Sequence, residues 1–268
     1  VDDVEYGKMK RELWTTNLYK YGCAAWPCPI CATGTLKLVP NSLIIYETAQ
    51  SKIGHADDEF DPEWTDYRFT AWATCVNQKC KQKVAIAGKG GVQQVNSPEG
   101  WDWDDYFEPL FWHPMPPLFK VPESCPESVK ESLAAAFALY ASDRPASAGR
   151  LRMALEALMD HSKVKRWGRN QHNRLVELSL HARLAKFKLN SPLVGDHLMA
   201  LKWLGNAGSH NSKLSRDDLL DAFEVFEHAL VEIIEERGDR VAGLAKGLAK
   251  KFARKRGPSS SRPSKSLF

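Results

Sequence analysis

Four cysteines in two close pairs are the residues best equipped for chemistry in this sequence. Cys28 and Cys31 flank Pro29 and Ile30, Cys75 and Cys80 are separated by four residues, and forty-three residues lie between the two pairs. Two cysteines spaced by two residues direct both sulfurs to one side of a tight turn. A small residue just beyond, Gly34, lets backbone amides approach the thiolates. Four thiolates suit Zn²⁺ in tetrahedral geometry and close its coordination shell, so the expected role is structural rather than catalytic. The six cysteines make an even count. Close pairs in a chain without an apolar signal-peptide core nevertheless read as metal ligands, not disulfides. Cys23 is an alternative ligand, because four residues also separate it from Cys28. Cys125 reads as a buried thiol, and a redox dithiol is the competing chemistry.

The elements that must position these thiolates are β-rich. Residues 35–38, 42–48, 67–75 and 82–87 are rich in β-branched and aromatic side chains with partial alternation, the pattern of short strands. An acidic loop over 54–66 reads as a solvated insertion. A module of about 75 residues buries little core, so bound metal can supply much of its folding free energy. The expected organisation is a polar leader over 1–20 with a short helix, and a zinc-ribbon domain over 21–97. An aromatic and proline-rich linker then covers 98–125. Its prolines demand extended backbone. Its crowded aromatics pack it onto a domain, or form a base-stacking platform where exposed.

From 126 to 236 the periodicity turns helical. Pro126, Pro145 and Pro192 stand at first-turn positions. A third helix is expected over 173–188, and Ser215 with Asp218 makes a capping box for a fifth. The fold class is therefore α+β: a β-rich zinc ribbon, then a separate all-α bundle, then a basic tail.

Charge is unevenly distributed. The chain carries a net +4, yet residues 237–268 hold ten Lys or Arg and one Asp, leaving the rest at about −5. The tail opens as an amphipathic helix in which Val241, Leu244, Leu248 and Phe252 alternate with Lys246, Lys250, Lys251, Arg254, Lys255 and Arg256. Those six cations are the candidate nucleic-acid contacts, on RNA or DNA. A membrane role is not expected of so small an apolar face, and no run reaches the ~18 apolar residues of a spanning helix. The protein is expected in the cytoplasm.

Three stretches carry a family resemblance. They are residues 26–36, around Cys28 and Cys31; residues 147–156, from Ser147 to Glu156 through Gly149 and Arg152; and residues 202–218, through Trp203, Gly205, Gly208 and His210 to Asp218. Together they resemble the bacterial "domain of unknown function 4145" family, in the version with an N-terminal zinc ribbon. That family is similar to the HEPN group of helical bundles, many of which are metal-independent RNases of toxin and defence systems and many of which pair. The resemblance implies a HEPN-like bundle, a defence setting and a homodimer through the helical domain. It also implies a site in which Asn206 and His210 match the Asn-x3-His part of the usual motif. Gly205 stands where that motif has Arg, and Lys202 is the nearest preceding cation.

The residues themselves support two readings. In a metal-independent RNase, His210 would move protons, and Arg152 or Lys202 would stabilise phosphorane charge. Glu156 lies four residues after Arg152, on the same helix face. Alternatively, the Arg152–Glu156 pair locks a helix against the loop holding Asn206 and His210. The function expected first is a zinc-binding, nucleic-acid-associated accessory protein without catalysis; a metal-independent RNase and a protein-interaction module are the alternatives.

Overall fold

The computed structural model describes residues 9–31, 33–98, 100–205, 214–235 and 237–252. A short helix α1 (Glu12–Thr15) precedes five strands: β1 (Leu36–Leu38), β2 (Ile44–Glu47), β3 (Asp66–Cys75), β4 (Lys83–Ser97) and β5 (Gly100–His113). Helix α2 (Ala49–Gly54) lies between β2 and β3. All pairings in this sheet are antiparallel. β1 and β2 lie end to end along one edge of β3, opposite residues 73–75 and 67–70, and β4 and β5 follow on the other side.

Strand β3 shows why the sequence makes a sheet. Phe69, Ala71, Ala73 and Cys75 are buried while Arg68, Thr70 and Trp72 are exposed, a strict period of two. The expected strand at 82–87 is the start of a far longer β4, which turns back at Gly100 with φ +124°, a conformation that glycine adopts without steric cost. This changes the linker reading. Within the expected linker over 98–125, residues 100–113 form strand β5, paired to β4 from Ser97↔Gly100 to Ala85↔His113, and residues 114–125 are irregular, with bends and a turn. Trp101, Asp102, Trp103 and Asp104 already alternate with period two. Pro109 is tolerated because β5 is the last strand and the register shifts beside it, between Ala87 and Gly88.

The second half contains α3 (Glu127–Leu139), α4 (Arg144–His161), α5 (Leu180–Asn190), α6 (Pro192–Ala200) with a 3₁₀ turn (Leu201–Gly205), α7 (Arg216–Glu235) and α8 (Arg237–Phe252). Buried Ser147 Oγ donates to the Ala136 carbonyl at 2.7 Å, and fully buried Ala148 leaves room for α3 and α4 to pack closely. The first part of the expected third helix is instead a hairpin, β6 (Trp167–Arg169) with β7 (Leu175–Glu177). Asn173 at φ 60° and the Asn170 Oδ1 acceptor for two backbone amides close its turn, and α5 starts only at Leu180 behind the Ser179 cap. The capping box is formed: Ser215 Oγ accepts from the Asp218 amide at 3.0 Å, and Asp218 Oδ2 accepts from the Ser215 amide at 3.0 Å.

The two halves share one continuous core rather than standing apart. Trp112 of β5 meets Trp14 and Trp26 edge-on at 6.3 and 5.6 Å, and Trp14 meets Tyr140 of α3's end at 6.3 Å. The Tyr140 hydroxyl donates to the Trp14 carbonyl at 3.0 Å. The leader is the strap. Leu18 exchanges backbone hydrogen bonds with Phe107 of β5 at 2.7 and 2.9 Å, while the Met9 amide donates to Glu227 of α7 at 3.0 Å. Arg11 pairs with Asp217 and Asp221, and Arg216 with Glu108 across the interface. Among the described residues, no helix is long and apolar enough to cross a membrane.

Candidate functional site

Two turns bring the paired cysteines together. The first follows Trp26, whose buried ring is anchored by Nε1 donating to the Leu13 carbonyl at 2.7 Å. There the Cys28 amide donates to the Gly34 carbonyl at 2.8 Å. The second is the β3–β4 connection, where the Cys80 amide donates to the Asn77 carbonyl at 2.9 Å. Pairing of Leu36 with Cys75 fixes one turn against the other. A Cβ on Gly34 would lie 2.5 Å from Cys75 Sγ and 3.0 Å from Asn77 Cβ, so the glycine is needed for the approach of the two turns, not only for amide access.

The sulfurs of Cys28 and Cys80 are 3.7 Å apart, as are those of Cys31 and Cys75, and all four lie within 4.8 Å of one another. A disulfide would require about 2.05 Å. A tetrahedron with metal–sulfur bonds of about 2.3 Å has edges near 3.8 Å, so the four thiolates have the spacing of a metal shell. Asn77 Nδ2 donates to Cys31 Sγ at 3.8 Å, and the Ile30 amide to Cys28 Sγ at 3.5 Å. The hydroxyl of Thr33 draws the Cys31 thiol down to about 6, whereas burial pushes Cys75 up to about 12. Cys23 lies outside the cluster, and Cys125 is buried alone with its thiol pushed up to about 11 by desolvation.

The other sequence candidates are less gathered. Arg152 Nε donates to Glu156 Oε1 at 2.9 Å on α4, as the spacing anticipates. Lys202 is exposed on the 3₁₀ turn. Asn206 and His210 lie outside the described residues, as do Arg254, Lys255 and Arg256. Lys246, Lys250 and Lys251 are exposed along α8. The Arg152–Glu156 pair lines a cavity of about 400 Å³ with Arg166, Glu177, Leu178, Ser179, Leu180 and Arg183. Sequence reasoning missed the group beneath it. Arg183 is 4% exposed and donates to Asp160 Oδ1 at 2.6 Å and to the Val164 carbonyl at 3.0 Å. Arg166 and then Arg183 hold the Asp160 carboxyl below its ordinary range. The signal was present: Arg183 occupies the same α5 stripe as Leu180, Leu184 and Phe187, all buried.

Residues 134–254 match the model of the family described as domain of unknown function 4145, which supports the resemblance read at 147–156 and 202–218. Residues 16–112 match a separate family, domain of unknown function 8608, and this span takes in both cysteine turns and nearly all of β5. No curated protein and no solved structure matches the chain.

Proposed function

We propose that this chain is a zinc-containing, nucleic-acid-associated accessory protein. Its front half is organised by Zn²⁺ on Cys28, Cys31, Cys75 and Cys80, and its C-terminal helix supplies phosphate contacts. Zinc is the metal favoured by an all-thiolate tetrahedral set, and such a shell leaves no position for substrate or water. The metal's part is then to hold the two turns, while recognition falls to the surface.

The observation that carries the nucleic-acid reading is α8. Residues 240–252 are exposed throughout, and the helical period sets Lys246 and Lys250 on the face opposite the stripe of Val241, Leu244 and Leu248. A row of solvated cations releases counterions when it neutralises phosphates, and this binding weakens steeply with salt. A chain ending at residue 236 should therefore bind duplex or single-stranded nucleic acid more weakly. The slope of its log affinity against log salt should be shallower by roughly 0.7–0.9 per lost phosphate contact. Fluorescence anisotropy at several salt concentrations measures both. Unchanged affinity and slope would refute the reading, as would binding to anionic vesicles without binding to nucleic acid.

A further inference from the structure

We infer that the solvent face of the five-stranded sheet is a binding surface for single-stranded nucleic acid. The inference rests on the nucleic-acid reading above and names a substrate class and a second surface for it. Alternation along the strands sends one set of side chains outward. Register then lines them up in rows: Tyr46–Arg68–Lys89–Glu108, then Ile44–Thr70–Ala87–Phe111, then Trp72–Ala85–His113, then Lys37–Thr74–Lys83. An antiparallel sheet with one wet face normally presents polar side chains there. This one exposes 66% of Tyr46, 49% of Trp72, 55% of Phe111 and 50% of Ile44.

Three aromatics on one open face each leave about half or more of their surface to solvent, and such a patch marks a partner. The charge around them selects its kind. Lys37, Arg68, Lys83 and Lys89 stand on the same face, and Lys79 and Lys81 are exposed at the adjoining cysteine turn. Glu108 is the one carboxylate in these rows and Asp66 stands beside the first of them, opposite Gly91; both are engaged, Glu108 with Lys89 and Arg216, and Asp66 with Arg68. Lys37 and Lys83 form no ion pair among the described residues. Flat rings bordered by cations, with Lys37 and Lys83 unpaired in the row beside Trp72, suit a ligand that offers flat rings on an anionic backbone.

The floor between the rings is low. Thr70, Ala85 and Ala87 put little bulk there, and a step of two residues along a strand is about 6.7 Å, close to one nucleotide of an extended strand. At the register shift, Gly88 admits no side chain: a Cβ would meet the Glu108 carbonyl oxygen at 2.1 Å and Phe69 at 2.7 Å. Beside it opens a cavity of about 390 Å³ between Phe69, Ala87, Leu110 and Phe111, with Arg68 and Lys89 at its rim. An apolar recess with cations at its mouth fits a base turned inward and its phosphate held outside. Paired bases in a duplex present no free ring face to such a surface, so the preference is for single strands.

The test uses the full chain and a fluorescent oligothymidylate of about twelve nucleotides. Trp72→Ala and Phe111→Ala should each weaken binding about tenfold, the loss expected for one stacked base, while Trp72→Phe stays near the parent. A duplex of equal length should bind with little dependence on Trp72. Both side chains are about half exposed, so circular dichroism should report an unchanged fold. Full affinity in both alanine variants, with affinity still lost on removal of residues 237–268, would overturn this surface and leave the reading based on α8 standing. Absence of any nucleic-acid binding would overturn both. Trp72-dependent binding to anionic vesicles, or Trp72-dependent self-association, in place of binding to the oligonucleotide would assign the face to another occupant and overturn the inference.

Discussion

Serine at position 75 is expected to leave the chain without its metal and with an unfolded front half. Cys75 ends β3, is 3% exposed, and pairs with Leu36 of the strand that follows the first cysteine turn. A metal bound there would close a link between residues 28–31 and 75–80 that backbone pairing otherwise holds through β1 and its flanking residues. Structural zinc sites contribute an apparent ~10–16 kcal/mol at neutral pH, comparable with or larger than the ~5–15 kcal/mol net stability of an ordinary domain. Metal analysis should give one zinc per chain for the parent and none for Cys75→Ser, with loss of the strand signal in circular dichroism. Cys125→Ser, at a buried thiol outside the cluster, should keep its zinc. Less than stoichiometric metal in the parent would remove the premise. The pH dependence has a fixed sign. Zinc takes thiolates, so protons compete with it, and affinity falls as pH falls.

The second large effect is expected at Asp160. Its carboxylate is the charged partner of Arg183, whose side chain is 5% exposed against 32% for Asp160. Removing the acid strands a buried guanidinium, which costs about 3–5 kcal/mol in general; the part-exposed acid places this pair near 3 kcal/mol. Asp160→Ala should thus lower the urea midpoint sharply. The double variant Asp160→Leu with Arg183→Met should recover much of the loss, because it leaves no unpaired charge. A loss in the double variant equal to or greater than that in Asp160→Ala would show that the pair is not the source. The linkage runs in one direction. Asp160 is held below the ordinary carboxylate value of 3.8, so its contribution is full above that pH and is lost as pH falls through the depressed folded value.

How much of this was legible depends on the range of the interaction. The cysteine pairs needed only spacing and residue type, and they meet as their chemistry requires. Ser215 and Asp218 sit within one turn of each other, so their capping box was equally open to inspection. Strand β5 was obscured because its crowded aromatics run straight into the prolines at 114, 116, 117 and 122, and that composition hides a period of two that Trp101 to Asp104 keep. The second strand of the hairpin, from Asn173 onward, reads as the start of a helix because Leu175 and Leu178 also fit a helical stripe. Its turn rests on asparagine side-chain hydrogen bonds, which leave no apolar period. The outward face of the sheet was beyond reach for a different reason. Tyr46, Trp72 and Phe111 lie on three strands, and only the register shows that they share a side.

The leader strap bears on the order in which the chain can finish folding. Its partners are residue 107 and residues 217–227, so the link from Met9 to Glu227 spans 218 positions. On a ribosome adding about 5–20 residues per second, that segment waits on the order of ten to forty seconds for its last docking site to emerge. Until then the Met9 amide and the Arg11 guanidinium lack their partners on α7. Closure should come late and in a single step. Pulse-labelled hydrogen exchange during refolding would record it as simultaneous protection of the amides of Met9 and Leu18, after those of β3.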